Sequence, residues 1–240
     1  MAQPTRRDWM KIASAGMAAA SAQAQPTGEI SVWTTAGNRR FAPDVPLPWR
    51  PESGSSADSI VLDPSRTFQE ALGFGASFTD ASCYLFNQLA PAARERLFHE
   101  LFHPSEMGLS VCRICIGSSD YAVKMYSFDE GEPDPEMQRF SIDHDREYIL
   151  PMLQQARAAN PGLFLLASPW SPPGWMKANN SMLGGCMRNK SFPAYAKYFV
   201  KFLQGYGEAG VPVNAVSVQN EVGHSDLTRT TPIRSTRPRR

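Results

Sequence analysis

The chain has 240 residues, 42% of them hydrophobic and 20% charged, with a formal net charge of +1. That composition suits one globular domain with a sizeable core, and it excludes a general electrostatic attraction for nucleic acid or an anionic membrane. No stretch is long and apolar enough to span a bilayer, and four cysteines, at 83, 112, 115 and 186, are too few for a disulfide scaffold at this length.

The charge is unevenly placed, with Arg6-Arg7 at the front and five arginines in the last dozen residues. In "TRRDWMKIASAGMAAASAQAQ" the paired arginines precede a weakly apolar stretch from Ile12 to Ala20 and then Ala22-Gln23-Ala24. A charged region, an apolar region and a small-x-small cleavage site, in that order, read as an export signal of the twin-arginine type over residues 1–24. The expected destination is periplasmic or extracellular. Residues 25–68 are rich in Pro, Ser and Gly, with short β-like pieces at "EISVWTT" and "SIVLD", and read as a loop-rich β segment.

From residue 69 a regular alternation begins. "ALGFGASFT" predicts a first strand, and "APAARERLFHELFHP" a helix with Leu97, Phe98, Leu101 and Phe102 on one face, ended by Pro104. "GLSVCRICIG" predicts a second strand; its Cys112 and Cys115 point to opposite faces, so they suit neither a shared metal nor a bridge. After a polar loop comes a helix around "REYILPMLQQARAANPG", with Asp143 as the simplest N-cap and Pro151 at the start of its packed part. The loop itself contains "DEGEPDPEM", which lacks the spacing of an EF-hand and reads as solvated. "LFLLASPWS" is the third strand. "FPAYAKYFVKFLQGYGEAG" is the third helix, with Tyr195, Tyr198, Phe199, Phe202 and Leu203 as its apolar face and Gly210 as C-cap. "VNAVSVQNEV" is the fourth strand.

Strands apolar throughout, each followed by a helix, imply a parallel sheet covered by helices, either a (β/α)8 barrel or a doubly wound sheet. "GFGAS" lacks the third glycine of a dinucleotide fingerprint, which weakens a Rossmann reading. The strand ends carry Thr79-Asp80, Ser118-Ser119-Asp120, Ser168-Pro169-Trp170 and Asn220-Glu221. Barrel enzymes place their chemistry at such C-terminal edges. A sugar presents hydroxyls on its rim and C–H bonds on its faces, so its recognition takes carboxylates, amides or arginine together with aromatic planes. Trp170 and Trp175 stand on the proline-stiffened "SPWSPPGWMK". Cleaving a glycosidic bond takes two carboxyl groups, about 5 Å apart where configuration is retained. Glu221, at the end of an apolar strand beside the Asn220 amide, suits the acid/base role, and Arg113 on the second strand could orient it or bind a second carboxylate.

Residues 69–222 resemble glycoside hydrolase family 30, the glucosylceramidase family, through "GFGASFTDA", "GLSVCRICIGSSDY", "FSIDHDREYILP", "LLASPWSPPGWMK", "YFVKFLQGYGEAGVP" and "AVSVQNEV", in that order. The resemblance implies a (β/α)8 barrel with a β-sandwich side domain that includes residues 25–68. It implies retaining hydrolysis of β-glycosides such as glucosylceramide, with neither metal nor cofactor. By position it makes Glu221 the general acid/base and Asn220 the holder of the 2-hydroxyl. Arg113 becomes the arginine of the catalytic pocket, and Asp120 and Trp170 become ligands of the outer hydroxyls. The family's nucleophile, a second Glu at the end of a seventh strand, has no counterpart here: after Val222 the sequence "GHSDLTRTTPIRSTRPRR" departs from the family. That Thr/Pro/Arg-rich tail, 223–240, is expected to be disordered, and a barrel cut after about four βα units is expected to be unstable or inactive alone.

Two other readings stand beside it. One is an exported, non-catalytic carbohydrate-binding remnant. The other is a zinc metalloprotease, because His99-Glu100-Leu101-Phe102-His103 fits HExxH. The match falls on the last helical turn before Pro104, where histidine also suits the negative end of the helix dipole.

Overall fold

A computed structural model describes residues 28–50 and 58–221. The export-type segment 1–24 and the basic tail 223–240 lie outside the described residues. The chain divides into two compact units, one up to Phe68 and the other from Gln69.

In the first unit, β1 (Glu29–Ile30) pairs antiparallel with β4 (Leu47–Pro48), and β2 (Trp33–Ala36) with β3 (Arg39–Pro43). Arg39 and Thr34 both donate to Asp44, at 2.7 and 2.8 Å, which ties β2, β3 and the turn after them. The second β piece expected from the sequence, "SIVLD", is not a strand. Ile60 and Leu62 are 91% and 86% exposed there, so the alternation has no apolar face to bury against.

The second unit carries a four-stranded parallel sheet, β5 (Ser77–Phe78), β6 (Val111–Cys115), β7 (Phe164–Ser168) and β8 (Ala215–Val216), in the order 5-6-7-8. A doubly wound sheet reverses its strand order at a switch point. Four strands laid side by side in chain order are the barrel pattern. Among the described residues the sheet is not closed, so the architecture is a partial (β/α)8 barrel.

The register sorts side chains onto two faces. Phe78, Ile114 and Ala167 stand side by side, with Cys112 and Leu165 two residues earlier on the same side, and all five are buried. Ser77, Arg113, Leu166 and Ala215 line the other face, where Arg113, Leu166 and Ala215 are half-buried. The first face is covered by helices. The second is the side that a full barrel turns inward.

Those helices are α1 (Asp80–Asn87), α2 (Pro91–Phe102), α3 (Asp143–Glu147), α4 (Ile149–Ala159) and α5 (Phe192–Glu208). Helix α1 was not expected. It follows β5 directly and opens with a capping box, in which the Thr79 side chain accepts the Ser82 N–H at 3.1 Å and Ser82 Oγ accepts the Thr79 N–H at 2.9 Å. In α2, Phe98 and Phe102 are buried, with Leu97 and Leu101 at the margin. Pro151 falls in the first turn of α4, where a missing N–H costs nothing.

In α5 the buried stripe is Tyr195, Tyr198, Phe202 and Tyr206. Leu203 is 37% exposed and Tyr206 fully buried, because the stripe continues in steps of three and four residues that carry it past Leu203. Each such large side chain contributes about 1.5–3 kcal/mol on burial. Ala209 caps α5, and Gly210, at φ +75°, is the left-handed residue after it.

Asp143 does not cap α3. It is the first helical residue, Ile142 is the cap, and the Asp143 N–H donates to Ser141 Oγ at 3.1 Å.

The strands are shorter at the sheet's two ends than the apolar runs suggest. Before β5 the backbones approach closely: a Cβ on Gly75 would lie 1.6 Å from the Val111 carbonyl oxygen. Backbone bonds from Ser110 N–H to Phe74 O and from Arg113 N–H to Ala76 O continue the ladder there. The glycines of "GFGAS" therefore seat one strand against its neighbour and need no nucleotide to explain them.

Candidate active site

The site builds from the C-terminal ends of β6, β7 and β8. Arg113, in mid-β6, reaches along the inward face, and its Nη2 donates to Asn220 Oδ1 at 2.6 Å. Its guanidinium lies over the Trp170 ring, with Cζ 4.3 Å from the centroid, a cation–π contact that holds the plane of both groups.

Asn220 is fixed from behind, since its N–H donates to Pro169 O at 2.8 Å. Gln219, buried one residue earlier, donates from Nε2 to Trp170 O at 2.8 Å. The "QN" of the fourth strand end and the "SPW" of the third are thus sewn together by two bonds. Glu221 follows immediately. It is exposed, with φ +47°, a left-handed backbone that a non-glycine residue adopts only where the chain turns sharply.

Of the residues singled out from the sequence, the structure brings Arg113, Trp170 and Asn220 into one cluster with Glu221 next in chain. Asp120 is exposed on the loop after β6 and makes no hydrogen bond or ion pair to that cluster. Arg113 bonds the Asn220 amide and makes no ion pair within 4.0 Å among the described residues, so its expected hold on a carboxylate is not part of this arrangement.

Trp175 is packing. It is 8% exposed, and its Nε1 donates to Asp129 O at 2.9 Å. The acidic loop "DEGEPDPEM", expected to be solvated, is instead built into the fold. Asp129, Asp134 and Met137 are buried, and Glu130 accepts the Gly174 N–H at 3.1 Å on both carboxylate oxygens. Neither Asp129 oxygen has a hydrogen-bond partner, and Arg139 Nη2 stands 3.7 Å away. Burial, with the Asp134 charge beside it, pushes the Asp129 carboxyl up to about 6.

Sequence reasoning also missed Lys177 and the tyrosine cluster. Lys177, fully buried, donates from Nζ to Ser171 Oγ at 3.1 Å and to Met182 O at 2.7 Å, closing the Trp loop on itself. Burial lowers its ammonium to about 8. Asp145, fully buried, accepts from Tyr126 at 2.8 Å and from Tyr206, and its carboxyl is raised by burial to about 6. The Tyr-rich spacing of α5 was the available signal, because a buried phenol usually finds a partner, as Tyr206 does in Asp145.

The HExxH match does not form a chelate. His103 is the C-cap of α2, and its Nδ1 lies 2.7 Å from Ser105 Oγ. The His99 and His103 rings stack at 4.5 Å, and His99 Nε2 faces Glu106 at 3.9 Å. Among the described residues no three His, Cys, Asp or Glu are placed to hold a metal ion. A groove of about 710 Å³ between α2 and α4 includes both histidines, but it lies on the helix side, away from the strand ends. Three thiols, Cys83, Cys112 and Cys115, are buried and Cys186 is exposed; none is in a disulfide.

A chain-ordered parallel sheet, helices on one face and an arginine–tryptophan–asparagine cluster at its C-terminal edge define a TIM-barrel-type domain. Residues 71–237 match the glycosyl hydrolase family 30 TIM-barrel domain, and the chain belongs to that family. It is 33% identical over 168 residues to the putative glucosylceramidase 1 of Caenorhabditis elegans, covering 68% of this chain and 32% of that protein. It is 36% identical over 179 residues to the endo-1,6-beta-D-glucanase of Neurospora crassa, covering 71% of this chain and 37% of that protein. Among solved structures it resembles the endo-beta1,6-glucanase BT3312, with a TM-score of 0.69 and 29% identity over 86% of this chain and 46% of that one. SrfJ from Salmonella typhimurium gives a TM-score of 0.70 and 27% identity, over 80% and 43%. The chain thus spans less than half the length of the curated relatives it matches, 32% and 37% of these two.

Proposed function

We propose that the chain is the sugar-binding and acid/base half of a retaining β-glycoside hydrolase. The observation that carries this is the Arg113–Asn220 bond at 2.6 Å with Trp170 beneath the guanidinium, immediately before Glu221 in the chain. Trp170 offers a ring face to the sugar's C–H bonds, and Asn220, held by Arg113, keeps its NH2 for a hydroxyl. Glu221 is the general acid/base: it protonates the departing oxygen and later takes a proton from water. The nucleophile falls, by resemblance, to a Glu on a strand beyond the four described. Two substrate classes follow from the relatives, glucosylceramide and β-1,6-glucan, and the substrate is met outside the cell if Arg6-Arg7 directs export.

The remnant reading stays beside this one because the three binding groups are assembled while Glu221 stands exposed. Titration with an aryl β-glucoside, followed by NMR of the released anomer, separates them. Binding, with retaining turnover when a polypeptide carrying the remaining strands and the nucleophile is supplied, and with that turnover lost in Glu221→Gln, supports the hydrolase. Binding without turnover supports the remnant, and absence of binding overturns both.

A further inference from the structure

The loop from Ser118 to Tyr126 carries Asp120; its ends are held, with Ser118 buried and Tyr126 packed against the core, while its crest has almost nothing apolar holding it. Tyr121, Val123 and Met125 are 67%, 55% and 53% exposed. Its base is closed by two bonds, Ser118 N–H to Tyr126 O at 2.9 Å and Tyr126 N–H to Ser118 Oγ at 3.0 Å. Its crest is held by Asp80. The Val123 N–H donates to Asp80 Oδ2 at 2.6 Å, and the next residue, Ala81, donates its N–H to Tyr121 O at 3.0 Å.

Asp80 is 2% exposed. A buried carboxylate is costly unless several donors face it, and here they come from separate elements. Oδ1 accepts the Tyr148 hydroxyl at 2.7 Å and meets His144 Nε2 at 2.6 Å. Helix α1 has no need of this group, because Thr79 already caps it. Beyond its contacts with His144 and Tyr148, the carboxylate fixes one backbone N–H at the crest of the loop, three residues from Asp120.

We infer that Asp80 is a positioning residue: braced by His144 and Tyr148, it holds the 118–126 loop so that Asp120 meets the sugar. The inference rests on the proposed function and, for the role of Asp120, on the family resemblance that makes it a ligand of the outer hydroxyls, but the clamp is a property of the chain alone. Asp80→Asn keeps the shape while removing the charge and one acceptor.

Hydrogen exchange on the full chain is expected to show Val123 losing protection at least tenfold, with the amides of α4 and α5 unchanged. Unchanged protection at Val123 in both Asp80→Asn and Asp80→Ala, the second of which leaves no oxygen to accept that amide, would overturn the clamp. Titration with an aryl β-glucoside then tests the coupling. Asp80→Asn and Asp120→Asn are each expected to weaken binding about tenfold, and the double variant no more than either alone. Multiplying losses, near a hundredfold, would mean that Asp80 acts independently of Asp120 and would overturn the positioning role.

Should Asp80→Asn fail to fold, Val123→Pro deletes the same donor at an exposed position and must reproduce the weakened binding; binding at the unaltered level sinks the inference. If the unaltered protein binds no glucoside, the functional reading fails, and the exchange result still decides the clamp.

Discussion

The two faces of the parallel sheet share strands and differ in what they ask of the sequence. On the helix-covered face, Cys112, Ile114, Leu165 and Ala167 are each at most 2% exposed, and shape and volume decide what fits. On the opposite face, alternating residues of the same strands, Arg113 and Leu166 among them, are half-buried. There a cation can reach Trp170 and Asn220 without being fully stripped of water. A strand of period two thus carries stability and chemistry on alternate residues, and a substitution is expected to damage one and spare the other.

The largest expected break in this comparison is on the covered face. Leu165→Ala should cost about 2–5 kcal/mol, whereas Leu166→Ala, its half-buried neighbour, should cost well under half as much. Urea unfolding of the two variants checks the contrast; equal losses would mean that the faces are not distinct. Next is Arg113→Lys, which keeps a positive charge but loses the planar group that stacks on Trp170 while bonding Asn220. Glucoside affinity is expected to fall at least tenfold, with the thermal midpoint within a few degrees of the parent.

A third test uses pH. Asp129 and Asp145 have folded-state values of about 6, raised from 3.8 chiefly by burial. A raised carboxyl favours the folded state most when protonated, so this contribution is fully present below 3.8 and is lost as pH rises through about 6. Asp134 runs the other way: the Arg139 N–H lowers it, and its contribution is lost as pH falls below its usual range. The midpoint temperature is therefore expected to be lower at pH 7 than at pH 5, and Asp129→Asn should flatten that slope. The smallest effect is expected on the outer helices. His99→Ala, at an exposed position, should change stability by no more than about 0.5 kcal/mol, and elemental analysis of the unaltered protein should find no stoichiometric zinc.

Much of the architecture was legible because it rests on local pattern. The periods of "GLSVCRICIG" and "LFLLASPWS" mark two buried strands, and Pro104 and Gly210 punctuate the helices. The strand-end positions of Trp170 and Asn220, with Arg113 in mid-β6, brought together groups that lie 50 to 107 residues apart in the chain. What escaped was non-local. Asp129 and Asp134 look like solvent-seeking residues in an acidic run, yet Trp175 and Gly174, some 45 residues away, fold that run inward. Lys177 reads as a surface lysine until Met182 O and Ser171 give its ammonium partners. Helix α1 escaped because its cap uses Ser82 in place of the usual Glu or Gln, so the signal was present in an uncommon form.

The cysteines have a practical consequence. Burial raises Cys83, Cys112 and Cys115, the last to about 11, which keeps them as unreactive thiols. Cys186 alone is open to water, and its carbonyl accepts the Ala178 N–H at 2.8 Å, three residues after Trp175. A maleimide dye would therefore label the native chain at one place, on the arm of the tryptophan loop, and turn that loop into an optical reporter without any engineering.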